Sequence, residues 1–560
     1  MKRFRSVVVG AVCGAVLSVS VALGVEATER PNIVLILADD LGYSDLGCFG
    51  SEIETPRLDQ LSTQGIRMTQ LYNAARCCST RASLLTGLYP HQAGVGAMSV
   101  DNQKPGYRGF LTDRAVCVAS LLKQTGYQTF MTGKWHLRGK GNQECIPTNH
   151  GFDEFFGHFK AYASYYRSDL FERLPAGRRK RDYKDDEFYA TDAITDHAVD
   201  FIKTSQSNAN PFFLYVAYNA PHFPLQAPRD EIKKGLATYR NGWDRIRETR
   251  IRKMKDLGLV AQGTSLSKRG HVTAVPDRNA DSPYYDRDIP GWDELSAERK
   301  EDLATRMATY AAMVRIMDAN IGRILDCLEK QGCMDNTLIV FLSDNGACAE
   351  WDPLGFDNNP YPANRLYRGD DLEKMGGPRT FHSYGTGWAN ACNSPFRLYK
   401  HYNHEGGISS PTIVCWPRGI KRRGEVDRTP THVIDLMPTF LELANAKYPT
   451  GSPQVLPLAG ESLLSVWQGV PQTTRPLFFE HEGNRAVRRG KWKLVWINYR
   501  KHWELYDIAK DRTESSDLAS EFPEVVSELE ELWLDWASKN FVELQRVKQP
   551  ATGMPRIYYW

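Results

Sequence analysis

Four segments of this chain follow one grammar: an apolar, β-rich run that breaks abruptly into polar residues. "NIVLILADDLG" ends in Asp39 and Asp40, and "YQTFMTGKWHL" carries Lys134 and His136. "PFFLYVAYNAPHFP" ends in Asn219 and His222, and "NTLIVFLSDNGA" in Asp344 and Asn345. Continuous apolar runs predict strands buried on both faces, as in an α/β fold whose large, mostly parallel central sheet is sandwiched by helices. "EDLATRMATYAAMVRIMDANIGRILDCLEKQG", apolar at helical spacing, supplies one covering helix. In open α/β sheets, ligands bind beyond the carboxyl ends of the strands. Four such ends rich in Asp, Asn, His and Lys therefore imply one shared site.

Each fragment has a plainer reading alone. Asp-Asp-Leu-Gly and Asp-Asn-Gly are good turn sequences, "GKWHL" reads equally as a charged strand end, and a lone His is more often structural than catalytic. Together, Asp39, Asp40, Asp344 and Asn345 offer only oxygen donors. That set suits a hard cation such as Ca²⁺ or Mg²⁺ and argues against zinc.

The remainder of the chain bounds the class. Its 560 residues exceed one ordinary domain, and 42% apolar with 24% charged residues is a globular composition. A formal net charge of +3 gives no global pull toward nucleic acid or a membrane surface. The basic runs "GRRKRDYK" and "DRIRETRIRKMK" read as solvated faces. The amino terminus carries Lys2, Arg3 and Arg5, then an apolar stretch, then small residues near Ala27. This is the pattern of a secretory signal peptide over residues 1–27, with an exported, periplasmic or secreted product and no stable membrane anchor. The apolar stretch is only marginally long enough to span a bilayer, and Cys13 lies mid-segment, unlike a lipoprotein cleavage site. The eleven cysteines are irregularly spaced and lack any Cys-x-x-Cys pair, so they do not read as a disulfide framework.

"RCCSTRASLLTG", Arg76 to Gly87, sets two cysteines side by side. Vicinal cysteines make a strained disulfide and are too close for ordinary metal-site spacing. The segment resembles the signature of the formylglycine-dependent sulfatases, of the arylsulfatase type within the alkaline-phosphatase-like superfamily. In that family a cysteine four residues before an arginine is oxidised to an aldehyde by a formylglycine-generating or sulfatase-maturing enzyme. Only Cys77 fits, with Arg81 four residues on; Cys78 would pair with Ala82, and Ser79 stands where proline is commonest. The likeness runs from "RPNIVLILADDLG" through "PFRLYKHYNHEGGI" to "ELYDIAKDRTESSDLAS", nearly the whole chain beyond the leader.

The resemblance implies the following site. Asp39, Asp40, Asp344 and Asn345, with Cys77 as formylglycine, would hold the cation, usually Ca²⁺. Arg81 would hold the aldehyde hydrate. Lys134 and His136 match the family's Lys-x-His pair, His222 its second histidine, and Lys400 its second sulfate-binding lysine. One hydroxyl of the hydrate would attack sulfur, giving a covalent sulfo-enzyme, and loss of the second hydroxyl's proton would then expel sulfate. The implied substrate is an aryl sulfate or a sulfated carbohydrate. The alternatives are a phosphate or phosphonate ester on the same scaffold, or a non-catalytic binder of sulfated glycans with an unmodified Cys77.

Three regions complete the reading. Residues 28–470 form the catalytic α/β unit, and 471–560 a small α+β subdomain with an antiparallel sheet, from the alternation in "PLFFEHEGNRAVRRGKWKLVWINY". The "EHEGN" stretch reads as a polar strand end that could reach the pocket, and His432 and Asp435 as a structural helix start. Cys78 reads as a small packed apolar group at the start of a helix. Between 228 and 299 the chain is charged and turn-rich, a surface excursion bordering the site. Two readings stand for it: a substrate-contacting wall using Trp243, Tyr284, Tyr285, Trp292, Arg245, Arg247 and Arg250, or an exposed lid without contact.

Overall fold

The computed structural model describes residues 1, 29–140, 142–178, 180–184, 187–272, 287–350, 354–357, 365–471, 475–498 and 500–544. The leader, Tyr284 and Tyr285 lie outside the described residues. Among those described, no helix is long and apolar enough to cross a membrane.

The central sheet is built from β1 (Asn32–Ala38), β2 (Ile66–Tyr72), β3 (Gln128–Lys134), β4 (Glu154–His158), β5 (Glu172–Leu174) and β6 (Phe212–Ala217). After a two-stranded ribbon, β7 (His271–Val272) and β8 (Arg287–Asp288), it continues with β9 (Thr337–Ser343), β10 (Ser409–Cys415), β11 (Glu425–Asp427) and β12 (Thr431–His432). The order is β11-β2-β10-β9-β1-β6-β3-β4-β5, with β12 also on β2. Strands β9, β1, β6, β3 and β4 run parallel; β10 pairs antiparallel with β9 and β2, and β5 antiparallel with β4.

Burial on both faces explains the apolar runs. Along β1, Val34, Ile36 and Ala38 pack under helices Ala190–Ser205 and Ala297–Lys330, while Ile33, Leu35 and Leu37 pack against helices Cys77–Thr86 and Leu436–Leu443. Each larger side chain so enclosed contributes roughly 1.5–3 kcal/mol relative to exposure. Because the inner strands are parallel, the residues after Ala38, Lys134, Ala217 and Ser343 emerge on one edge. The expected single site follows from that geometry.

A second sheet, β13 (Leu477–His481), β14 (Asn484–Arg489), β15 (Trp492–Ile497) and β16 (His502–Asp507), is antiparallel throughout. One face packs on helix Pro523–Lys539 through Val487, Leu494, Leu505, Leu529 and Trp533. The other packs Leu477, Phe479, Ala486 and Val495 against Tyr72, Ala75 and Ile408 of the larger unit. Buried Lys493, 3.0 Å from Glu405 and 2.8 Å from Glu514, and Arg512, 2.8 Å from Glu405, lock that seam.

The substrate-wall reading of 228–299 is overturned for most of its described members. This stretch forms two helices, Arg229–Tyr239 and Gly242–Asp256, whose inner faces are core. Trp243 and Trp292 are 1% and 4% exposed and pack on each other and on Trp388, with ring centroids 4.9–5.7 Å apart. Arg250 is fully buried between Asp45 (2.5 Å) and Glu52 (2.8 Å), and Arg247 donates to the Ser267 carbonyl at 2.5 Å. Amphipathic spacing, hidden under the high charge, made these core positions. Arg245 alone of the three arginines is exposed.

Candidate active site

The site is assembled where six chain segments meet, and its first member is a helix start. Arg76 is extended (φ −150°), and Cys77 opens the helix Cys77–Thr86, which ends at Gly87 (φ 66°). All ten residues of this helix are buried. Several of its polar side chains are paired internally: Ser79 donates to the Val95 carbonyl at 2.9 Å and Thr86 to the Ala82 carbonyl at 2.7 Å, while Ser83 Oγ is buried without a partner among the described residues. The Cys77 thiol lies 3.3 Å from His136 Nδ1, whereas the Cys78 thiol donates to the Ala97 carbonyl at 3.3 Å. Burial pushes the Cys77 thiol up, but the neighbouring Cys78, Lys134 and His136 outweigh it and hold it well below its ordinary range. All ten cysteines among the described residues are free thiols.

The strand ends supply the rest. Asp39 and Asp40 follow β1, and Asp344 and Asn345 follow β9, so the paired strands set them side by side. The Asp40 amide donates to Asp344 at 3.3 Å, and the Asn345 amide group to Asp40 at 2.7 Å. Arg81 bridges Asp344 (2.7 Å) and Asp39 (3.7 Å) and donates to the Lys134 carbonyl at 2.8 Å. Lys134 reaches Asp39 at 2.5 Å, and Lys400 reaches Asp40 at 2.7 Å. Only glycine fits at 133, just before Lys134, because a Cβ there would meet the Ala217 carbonyl at 1.9 Å. Asp40 (φ 66°) and His136 (φ 55°) hold left-handed backbone, the kind of strain that concentrates at functional sites.

His222 completes the ring. Its Nδ1 donates to the Phe223 carbonyl at 2.6 Å, which leaves Nε2 facing Asp40 and Lys400, each at 3.4 Å. Burial lowers the pKa of His222, and that of His136 to about 4. Burial also raises Asp344, helped by the adjacent Asp39 charge, and Arg81 only partly offsets this. Burial would raise Asp40 too, but His222 and Lys400 beside it hold it below the usual carboxylate range.

The structure thus brings together Cys77, Arg81, Lys134, His136, His222, Lys400, Asp39, Asp40, Asp344 and Asn345. Carboxylates and an amide carbonyl suit a hard cation, and two of those oxygens support the fit. Asp39 Oδ1 and Asn345 Oδ1 are buried without a hydrogen-bond partner, a costly state unless a cation takes them. Sequence reading missed Glu350 and His401. Glu350 Oε1 stands 3.9 Å from Lys400 and 3.2 Å from His401 Nε2, yet it follows no apolar run directly. His401 had a signal, since it follows Lys400 immediately.

Oxygen donors and a nucleophile-bearing helix start, gathered at the carboxyl edge of a parallel sheet, have the layout of a metal-dependent ester hydrolase. The family is then plain: the sulfatase family profile matches residues 31–446, so the chain belongs to the sulfatase family, whose members hydrolyse sulfate esters. A profile described as N-sulphoglucosamine sulphohydrolase, C-terminal, matches 396–538. An uncharacterised sulfatase of Schizosaccharomyces pombe is 34% identical over 547 residues, 92% of this chain and 95% of that one. The arylsulfatase of Klebsiella aerogenes is 34% identical over 81% of this chain and 96% of its own. Among solved structures, Ps i-CgsB in complex with k-i-k-neocarrahexaose superposes with a TM-score of 0.65 at 25% identity, covering 94% of this chain and 98% of that one.

Proposed function

We propose that the protein is an exported, formylglycine-dependent sulfatase in which Cys77 is the modified residue and Asp39, Asp40, Asp344 and Asn345 hold a Ca²⁺ (or Mg²⁺) ion. The observation that carries this reading is the position of Cys77: first residue of a buried helix, 3.3 Å from His136, within the ring of Arg81, Lys134 and the strand-end carboxylates. Export rests on the leader sequence, and modification implies a maturing enzyme as transient partner.

As an aldehyde hydrate, residue 77 would supply one hydroxyl to attack sulfur and a second whose deprotonation expels sulfate. The bound cation would supply charge stabilisation at the sulfate oxygens. The chain's own groups divide the remaining work. Lys134 and Lys400 pair with different carboxylates, Asp39 and Asp40, and would each face the sulfate oxygens. Arg81, held by Asp344 and the Lys134 carbonyl, fixes the helix start that carries residue 77. His136 is placed to exchange protons with that residue. His222 Nε2 is placed to protonate the leaving oxygen. The test is release of inorganic sulfate across p-nitrophenyl sulfate and a panel of sulfated saccharides. Sulfate released from at least one of these supports the reading; matured protein that releases none contradicts it.

A further inference from the structure

Beyond the sulfate-binding residues the site has a second, differently built wall. Asp39, Lys134, Arg81, Asp344 and Asn345 are 0% exposed, whereas His222 is 4%, Arg76 and Glu350 5%, and His401 7%. The site is therefore least enclosed on the side of these four, and a leaving alcohol would lie along them while its sulfate faces the closed end. The wall continues into the second sheet. Glu482 Oε2 contacts His401 Nδ1 at 2.8 Å, and its Oε1 stands 3.0 Å from His481 Nε2. Arg76 lies 3.3 Å from Glu350 and 2.9 Å from His401 Nδ1.

Local backbone argues that Glu482 is kept for its side chain. Glu482 and Gly483 are the two residues between β13 and β14, where His481 pairs with Asn484. Both have positive φ, 53° and 85°. Such a two-residue turn favours Asn-Gly or Asp-Gly, and Glu is a poor choice at its first position. His401 is likewise left-handed, at φ 81°.

We propose that Arg76, Glu350, His401 and Glu482 form a leaving-group subsite that takes an uncharged polyhydroxy alcohol and disfavours one carrying a second anionic group. The inference rests on the sulfatase reading above. Donors and acceptors alternate along the wall, as adjacent hydroxyls of a sugar ring require. The donors there are already engaged: Arg76 pairs with Glu350, and the His401 ring contacts both Glu350 and Glu482. A second sulfate would have to displace a buried carboxylate from its partner and then lie beside it. Arg247 and Arg250 of the 228–299 segment do not replace them, since both are buried with other partners.

The test compares kcat/KM of the matured protein on monosulfated hexoses, their disulfated counterparts and p-nitrophenyl sulfate, in wild type, Glu482→Asn and Glu350→Gln. Wild type should prefer the best monosulfated hexose to its disulfated form by roughly tenfold or more. Glu482→Asn, which suits the turn, should fold with an unchanged or higher Tm yet lose most of that preference. Glu350→Gln should lose it too, and serves if the first variant folds poorly. Equal turnover of mono- and disulfated sugars by wild type, aryl sulfate turnover with no hexose sulfate turnover, or a preference unchanged in both variants would overturn the proposal and leave the sulfatase intact. No sulfate release from any ester would overturn both.

Discussion

His136 Nδ1 stands 3.3 Å from the thiol of Cys77 and makes no contact of that kind with Cys78, whose thiol is spent on the Ala97 carbonyl. The vicinal pair is therefore asymmetric. Cys77→Ala should abolish turnover. Cys78→Ala should keep it within a few-fold, with a modest loss of Tm, because removing one small buried group costs about 1 kcal/mol. Steady-state rates and thermal melts of the two variants check this.

Asp344 is shared between Arg81 and the adjacent Asp40 amide, so it is both a candidate ligand and a structural acceptor. Asp344→Asn keeps its shape and removes its charge. It should lower bound Ca²⁺ or Mg²⁺, read by elemental analysis, and lower turnover by on the order of 10²–10³-fold. Stoichiometric zinc in the wild-type protein would contradict the ligand assignment.

The expected role of His222 separates substrates by leaving group. An alkyl oxygen needs a proton to depart and a nitrophenolate does not. His222→Ala should cost about 10²–10⁴-fold on a sugar sulfate and far less on p-nitrophenyl sulfate. Equal losses would make His222 structural.

How much of this was legible in the sequence depends on which residues carry local signals. The parallel sheet was readable because both-face burial leaves unbroken apolar runs, and the strand-end residues because they interrupt those runs. Arg247 and Arg250 were misread as surface because burial of an arginine depends on partners far along the chain: Asp45 and Glu52 for Arg250, Ser267 for Arg247. Glu482 was visible only as part of "EHEGN". Its contact with His401 joins residues far apart in sequence, which no local pattern encodes.

Arg250 supplies a control for that correction. Arg250→Ala should destabilise the fold by about 3–5 kcal/mol, since Asp45 and Glu52 would be left buried without their cation. Denaturant unfolding measures the loss. Selectivity among sulfate esters in the residual folded protein should be unchanged.

His432 predicts a pH dependence of stability. Its Nδ1 accepts from the Ile434 amide at 3.2 Å, and burial, with Arg475 nearby, pushes its pKa down to about 3. Below an unfolded value of about 6.5 the unfolded chain takes up the proton first. This contribution is complete above that pH and is lost as pH falls toward 3, at about 1.4 kcal/mol per pH unit. His432→Asn, a cap that does not titrate, should flatten the decline in stability between pH 7 and 5.

The central claim is chemical, and the mass of the peptide containing residues 77 and 78 tests it most directly. In protein matured in a competent host and active on a sulfate ester, Cys77 should have sulfur replaced by oxygen with loss of two hydrogens, and Cys78 should remain a thiol. Full activity with an unmodified Cys77 would contradict the account.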